Sequence, residues 1–187
     1  MAECILGTLR AVGSEGVVRM EDRFEVGVEE LWSAVTDPRR LAAWWGRLDG
    51  DLRVGGEFRA HIADAGDFTG RVDVCEPPHR VRVTMRDADP KPGQPEQMVT
   101  ELQLTADGRQ TVLVVEERGM PVNLLAAYGA GIQIHVEHLA DHVARSDLRD
   151  AEARWGRLLP AYEALAAGVR ETRPDPVTER SRHPFGV

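Results

Sequence analysis

"IQIHVEHLADHVAR", residues 132–145, changes the rhythm of everything before it. Ile132, His135, Val136, Leu139 and Val143 recur at helical spacing and share one side. A long helix with such a stripe must bury it against another layer. The segments upstream alternate instead. In "GEFRAHI", residues 56–62, Phe58, Ala60 and Ile62 alternate with Glu57, Arg59 and His61. In "DFTGRVDVCE", residues 67–76, Phe68, Gly70, Val72 and Val74 alternate with Thr69, Arg71, Asp73 and Cys75. In "HRVRVTMR", residues 79–86, Val81, Val83 and Met85 alternate with arginines and Thr84. "MVTELQLTADGRQTVLVVEERG", residues 98–119, reads as a hairpin turning at Asp107-Gly108. Such strands belong to an antiparallel sheet with one wet face. The expected class is therefore α+β: a curved antiparallel sheet of about six or more strands around one long C-terminal helix.

Two further pieces precede the sheet run. "CILGTLRAVGSEGVVRMEDRFEV", residues 4–26, reads as strand, turn, strand. "GVEELWSAVTDPRRLAAWWG", residues 27–46, turns helical through Val28, Leu31, Trp32 and Val35. Asp37-Pro38 stops that helix and starts a second short one, with Asp37 as N-cap and Pro38 as first helical residue; Gly46 is expected to end it. Trp44 and Trp45 are adjacent, so on a helix they point about 100° apart and cannot share one narrow stripe. Either one packs the short helices while the other meets a cavity mouth, or both are core on opposite sides.

Beyond the long helix, "DLRDAEARWGRLLPAYEALAAG", residues 147–168, is amphipathic. Leu148, Trp155, Leu158, Leu159, Tyr162 and Leu165 form its expected apolar face, with a break or kink at Pro160. That face must pack on the main domain or on a second copy of the chain in a homodimer. The domain reading is a main unit over 1–146, a helical extension over 147–170 and a disordered tail over 171–187. "YGAG", residues 128–131, reads as a close passage of the chain just before the long helix.

Composition excludes several classes. The net charge of −8 is a poor match for nucleic acid or an anionic membrane surface. No run approaches the roughly 18 apolar residues that span a bilayer, and "MAECILGTLR" lacks the apolar core of a signal peptide. Cys4 and Cys75 form no framework, which suits two free thiols in the cytoplasm. Arginine outnumbers lysine 22 to 1 but is scattered. No glycine-rich phosphate loop, nucleophile elbow or dinucleotide fingerprint is present, so no cofactor is expected.

Taken together, "LWSAVTDPRRLAAWWG", "GDLRVGGEFRA", "GRVDVCEPPHRVRVTM", "ERGMP" and "YGAGIQIHVEHLADHV" resemble the SRPBCC (START-like, helix-grip) superfamily. The branch most similar is that of bacterial homologues of the activator of the heat-shock-protein-90 ATPase. The resemblance runs from about Thr8 to Ala144, and "WGRLLPAYEALAA" is similar to an extension of bacterial members. It implies the helix-grip fold and an apolar pocket between sheet and helix. It also implies three roles: binding of a small apolar ligand, polyketide cyclase or aromatase chemistry, or ATPase stimulation by a co-chaperone-like protein. The family often carries an aromatic residue where Met85 stands and a histidine where Glu117 stands.

Binding rather than catalysis is the leading expectation. Phe58, Ala60, Val72, Met85, Leu102 and Leu113 would form the sheet wall, with Trp45, Tyr128 and Ile132 opposite and Glu117 and His135 orienting the ligand. Glu117 follows Thr111, Leu113 and Val115 on the inward alternation. Beside an apolar pocket its pKa would rise and it could serve as acid or base. Alternatively it sits at an exposed strand end or pairs with Arg118 or another arginine. His135, His138 and His142 share a helix, and zinc accepts such a set if its ligand count is completed. The glutamate that directly follows the first histidine in zinc-protease helices is missing. No metal is therefore expected; His135 should face the cavity and His138 the outside. Cys75, on the Arg71 and Asp73 face, should lack a pocket.

Overall fold

The computed structural model describes residues 4–62, 65–90, 92–93, 95–169 and 171–172. Strands β1 (Gly7–Val12) and β2 (Glu15–Phe24) form a hairpin. Helices α1 (Val28–Thr36) and α2 (Pro38–Leu41) follow, and the Asp37 carboxylate accepts from Arg39 N at 2.8 Å to cap α2. Six strands then meander: β3 (Gly46–Gly50), β4 (Glu57–Ile62), β5 (Gly66–Glu76), β6 (Arg80–Asp87), β7 (Met98–Asp107) and β8 (Gln110–Pro121). Gly46 thus opens a strand rather than closing a helix. A 3₁₀ turn at Val122–Leu124 leads into α3 (Leu125–Ala144), and α4 (Ala151–Ala166) follows.

The sheet order is β3-β4-β5-β6-β7-β8-β2-β1-β9. All pairs are antiparallel except the last, where β9 (Glu171–Thr172) runs parallel to β1. The short strand revises the expected tail at its first two positions; residues 173–187 lie outside the described residues. No described helix is long and apolar enough to cross a membrane. The α+β helix-grip architecture read from the sequence is the one observed.

Helix α3 rests on β1, β2 and β8. Its residues Ile132, Val136 and Leu139 join Met20, Leu113 and Val115 in one core cluster. A second cluster, Phe58, Ala60, Ile62, Phe68, Val72, Met85 and Met98, covers β4 to β7. Gly70 sits in its inward row because the Phe58 ring lies across it, where a Cβ would collide.

The other side of α3 is buried too, by α4 and the chain before β1. Gln133 uses its whole amide there. Its Oε1 accepts from Leu6 N at 3.1 Å and from the Tyr162 hydroxyl at 2.7 Å; its Nε2 donates to Cys4 O at 2.8 Å and to Glu137 at 2.9 Å. Arg154 closes a two-pronged pair on Glu137 at 2.7 and 2.5 Å. Arg149 holds Asp141 at 2.8 and 2.5 Å. These cations hold both carboxyls below the usual carboxylate range, against burial.

Tyr162 is fully buried and wedges α4 onto the main unit. A Cβ on Gly129 would lie 2.5 Å from its ring, and one on Gly7 2.6 Å from its hydroxyl. "YGAG" therefore lies inside α3, where its glycines admit α4, not before the helix. The buried residues of α4 are Arg154, Leu158 and Tyr162, at a spacing of four, and Leu159 packs half-buried against the same cluster. Leu148, Trp155 and Leu165 are exposed, which corrects the broader apolar face expected above. The helix also continues through Pro160, which is exposed, so the hydrogen bond it forgoes faces water.

Tyr162→Ala should cost about 3–5 kcal/mol in denaturant unfolding. Leu148→Ala and Leu165→Ala should each stay within about 0.5 kcal/mol. Equal losses at all three would show that the C-terminal segment packs far more broadly than through Tyr162.

Candidate functional site

Between the second cluster and α3 lies a cavity of about 610 Å³. Its sheet wall is built in transverse rows. Val72, Val83, Thr100 and Glu117 are paired across β5, β6, β7 and β8, and all four face the cavity. The next row is Cys75, Val81, Leu102 and Val115, again all facing it. Helix α3 supplies Tyr128, Ile132, His135, Val136 and Leu139 opposite. Ten of the eleven residues expected from the sequence border this space: Trp45, Phe58, Val72, Met85, Leu102, Leu113, Glu117, Tyr128, Ile132 and His135. Ala60 does not. It is paired between Leu48 and Phe68, and its single methyl is covered by larger neighbours at 3% exposure.

Cys75 reverses its expected side. The β5–β6 register shifts between Val72 and Val74. A bulge adds one residue, so every side chain beyond it changes face. Cys75 then enters the cavity wall, and alternation alone assigned it outward. Thr100, Val81, Val83 and Val115 follow from the same alternation that located their neighbours. Trp155 carried no such signal, because it reaches the wall from α4.

The adjacent tryptophans both border the cavity, from different clusters. The Trp44 indole N–H donates to Ala34 O at 3.1 Å, fastening α2 to α1, and its ring packs on the α3 cluster. Trp45 packs on the β4–β7 cluster. Each half-buried ring thus closes a different side of the same space.

Glu117 is a buried acid on the cavity wall, at 8% exposure. The Thr100 hydroxyl donates to it at 3.1 Å. No ion pair reaches it among the described residues. Arg118 points to the other face and binds Glu116 at 2.8 Å, so the arginine-paired alternative is replaced by an inward carboxyl. Burial outweighs the Thr100 hydrogen bond and pushes its pKa from 4.5 to about 7. Burial also raises Tyr128, and the charges of Glu117 and Asp87 raise it further, which places both acids within electrostatic reach of that phenol.

The three helix histidines diverge. His135 borders the cavity. A ring nitrogen of His138 lies 3.0 Å from Arg149 O, beyond the end of α3. His142 lies 3.5 Å from Arg40 Nε; burial and that cation hold its pKa down.

The pH consequence of Glu117 has a definite sign. Its folded pKa is raised, so its stability contribution is full below pH 4.5 and is lost as pH rises through about 7. The loss amounts to roughly 3 kcal/mol. Glu117→Gln keeps an acceptor for Thr100 and cannot ionise. It should be more stable than the parent at pH 8 by up to that amount, and the difference should vanish near pH 4. A difference independent of pH would show that Glu117 is solvated.

The family model for "Activator of Hsp90 ATPase homolog 1-like protein" matches residues 25–144. Three solved structures are similar. CalU16 from Micromonospora echinospora is 26% identical with TM-score 0.69, covering 86% of this chain and 96% of its own. DynU16, from the dynemicin biosynthetic locus, is 29% identical with TM-score 0.64, covering 72% of this chain and 50% of its own. MLL2253 from Mesorhizobium loti is 27% identical with TM-score 0.62, covering 71% and 99%. Among curated proteins none matches this chain.

Proposed function

Because this chain belongs to the Activator of Hsp90 ATPase homolog 1-like family, with the helix-grip sheet and helix of the SRPBCC fold, we propose that it binds a small, mostly apolar molecule between sheet and α3. The observation that carries this reading is the cavity itself. Its volume of about 610 Å³ falls inside the roughly 300–1,000 Å³ of small-molecule sites. Its wall is aliphatic and aromatic with a few polar groups, the composition that buries a ligand and fixes its orientation. Similarity to CalU16 and DynU16, the latter from a biosynthetic locus, supports a small organic ligand.

One observation favours a second reading, an enzyme of cyclase or aromatase type. Glu117 titrates near neutrality inside the cavity, so it can both give and take a proton at pH 7. The ATPase-stimulating role has less support. The space under α3 is hollow, and among the described residues the exposed large apolar side chains, Val12, Val54, Leu148, Trp155 and Leu165, come from four different parts of the chain. Two free thiols, with Cys4 exposed, suit a reducing, cytoplasmic setting.

Ile132 lies on the helix wall at 8% exposure and tests the cavity directly. In a filled core, Ile132→Trp would overpack and cost about 1–3 kcal/mol or more. Here the larger ring should enter the empty space. The variant should unfold with the ligand-free parent and should no longer bind an apolar reporter dye in a fluorescence titration. Severe destabilisation would argue for a filled core, and undiminished dye binding would move the site elsewhere.

A further inference from the structure

The charge lining the cavity is one-sided. The chain carries 23 basic residues, yet no arginine or lysine borders the cavity among the described residues. The strand arginines stand on the other face. There Arg80 pairs with Glu101, Arg71 with Asp73 and Arg118 with Glu116. The acids inside are Glu117 from β8 and Asp87 at the end of β6, and Tyr128 feels both charges. Cys75 from β5 and His135 from α3 are the other titratable groups on the wall, and only His135 can turn cationic. The rest is aromatic to an unusual degree for a chain with 5% aromatic residues: Trp44, Trp45, Phe58, Phe68, Tyr128 and Trp155 all border the space.

These facts act together on a ligand. A carboxylate entering the cavity would lose its hydration, meet Glu117 and find no fixed cation. An ammonium would meet a carboxylate with one hydrogen bond already made and lone pairs to spare. Aromatic faces attract a desolvated cation as well. We propose that the cavity selects molecules with a protonated amine on an apolar body, seated against Glu117, and turns away those with a carboxylate.

The inference rests on the reading of this space as a binding site, and one probe series separates the two. 1-Naphthylmethylamine, 1-naphthylmethanol and 1-naphthoic acid share a ring system and differ in charge. Titration of the whole chain by calorimetry at pH 8, where imidazoles are mostly neutral, should rank them amine, alcohol, acid. The amine should lead the alcohol by about tenfold or more, the scale of a charge-assisted hydrogen bond over a neutral one. At pH 6 the amine should release a proton on binding, since it ionises a carboxyl that was protonated with pKa about 7. Glu117→Gln should abolish both the preference and the proton release. Alcohol bound as tightly as amine, or acid bound more tightly, would overturn the charge selection while the binding reading stands. If none of the three binds, both fail. The ranking on the unaltered protein decides the matter even if the variant does not fold.

Discussion

One helix is narrower than the sheet it covers. An α-helix with its side chains is about 10–12 Å across, and strands are spaced at about 4.7–4.9 Å. Helix α3 can therefore lie on two or three strands, and it lies on β1, β2 and β8. Strands β4 to β7 still present an inward apolar face, made of Phe58, Phe68, Val72, Met85 and Met98. That face cannot follow the helix across the sheet, so curvature brings it round the helix and leaves about 610 Å³ between them. The two tryptophans and Tyr128 span the gap between the clusters.

The cavity persists because α3 is held from behind. Gln133, Glu137 and Asp141 lie on the side of the helix away from the sheet wall and are engaged by Leu6, Cys4, Tyr162, Arg154 and Arg149. Removing buried polar partners is costly because each remaining group keeps its desolvation penalty. The network thus resists the motion that would let α3 slide into the cavity and fill it. The family model ends at Ala144, so most of this anchoring comes from residues beyond it, together with Trp155 on the cavity wall.

Polarity is partitioned between the two faces of one sheet. Outside, arginines and acids alternate in paired ladders, where water shares the cost of their charges. Inside, Glu117 is held by one hydroxyl, that of Thr100. The same period of two that sends Glu116 to the ladder sends Glu117 to the cavity. No cation borders that inward row among the described residues, so burial acts on the acid without an ion pair to offset it.

Alternation and helical spacing report which side a residue faces, and that information is local. It was sufficient for the sheet, for the stripe on α3 and for most of the strand residues that border the cavity. It also carried Glu117 inward, but it could not choose between a buried acid and one paired to Arg118, since that depends on whether Arg118 finds another partner, here Glu116 on the outer face. It placed Ala60 on the correct face and missed that a methyl there is covered by Leu48 and Phe68. It failed at Cys75 because one extra residue at the bulge inverts the count, and the count carries no trace of the insertion. The C-terminal apolar face was read too broadly for a related reason: apolar residues at helical spacing look alike until a partner is present. Tertiary structure selected Leu158 and Tyr162 and left Leu148 and Leu165 in water, because only the former meet α3 and β1. The sequence by itself determined the faces and their order along the chain. Which faces touch, and how much room stays between them, depended on relative widths, bulges and anchors contributed by residues far apart in the chain.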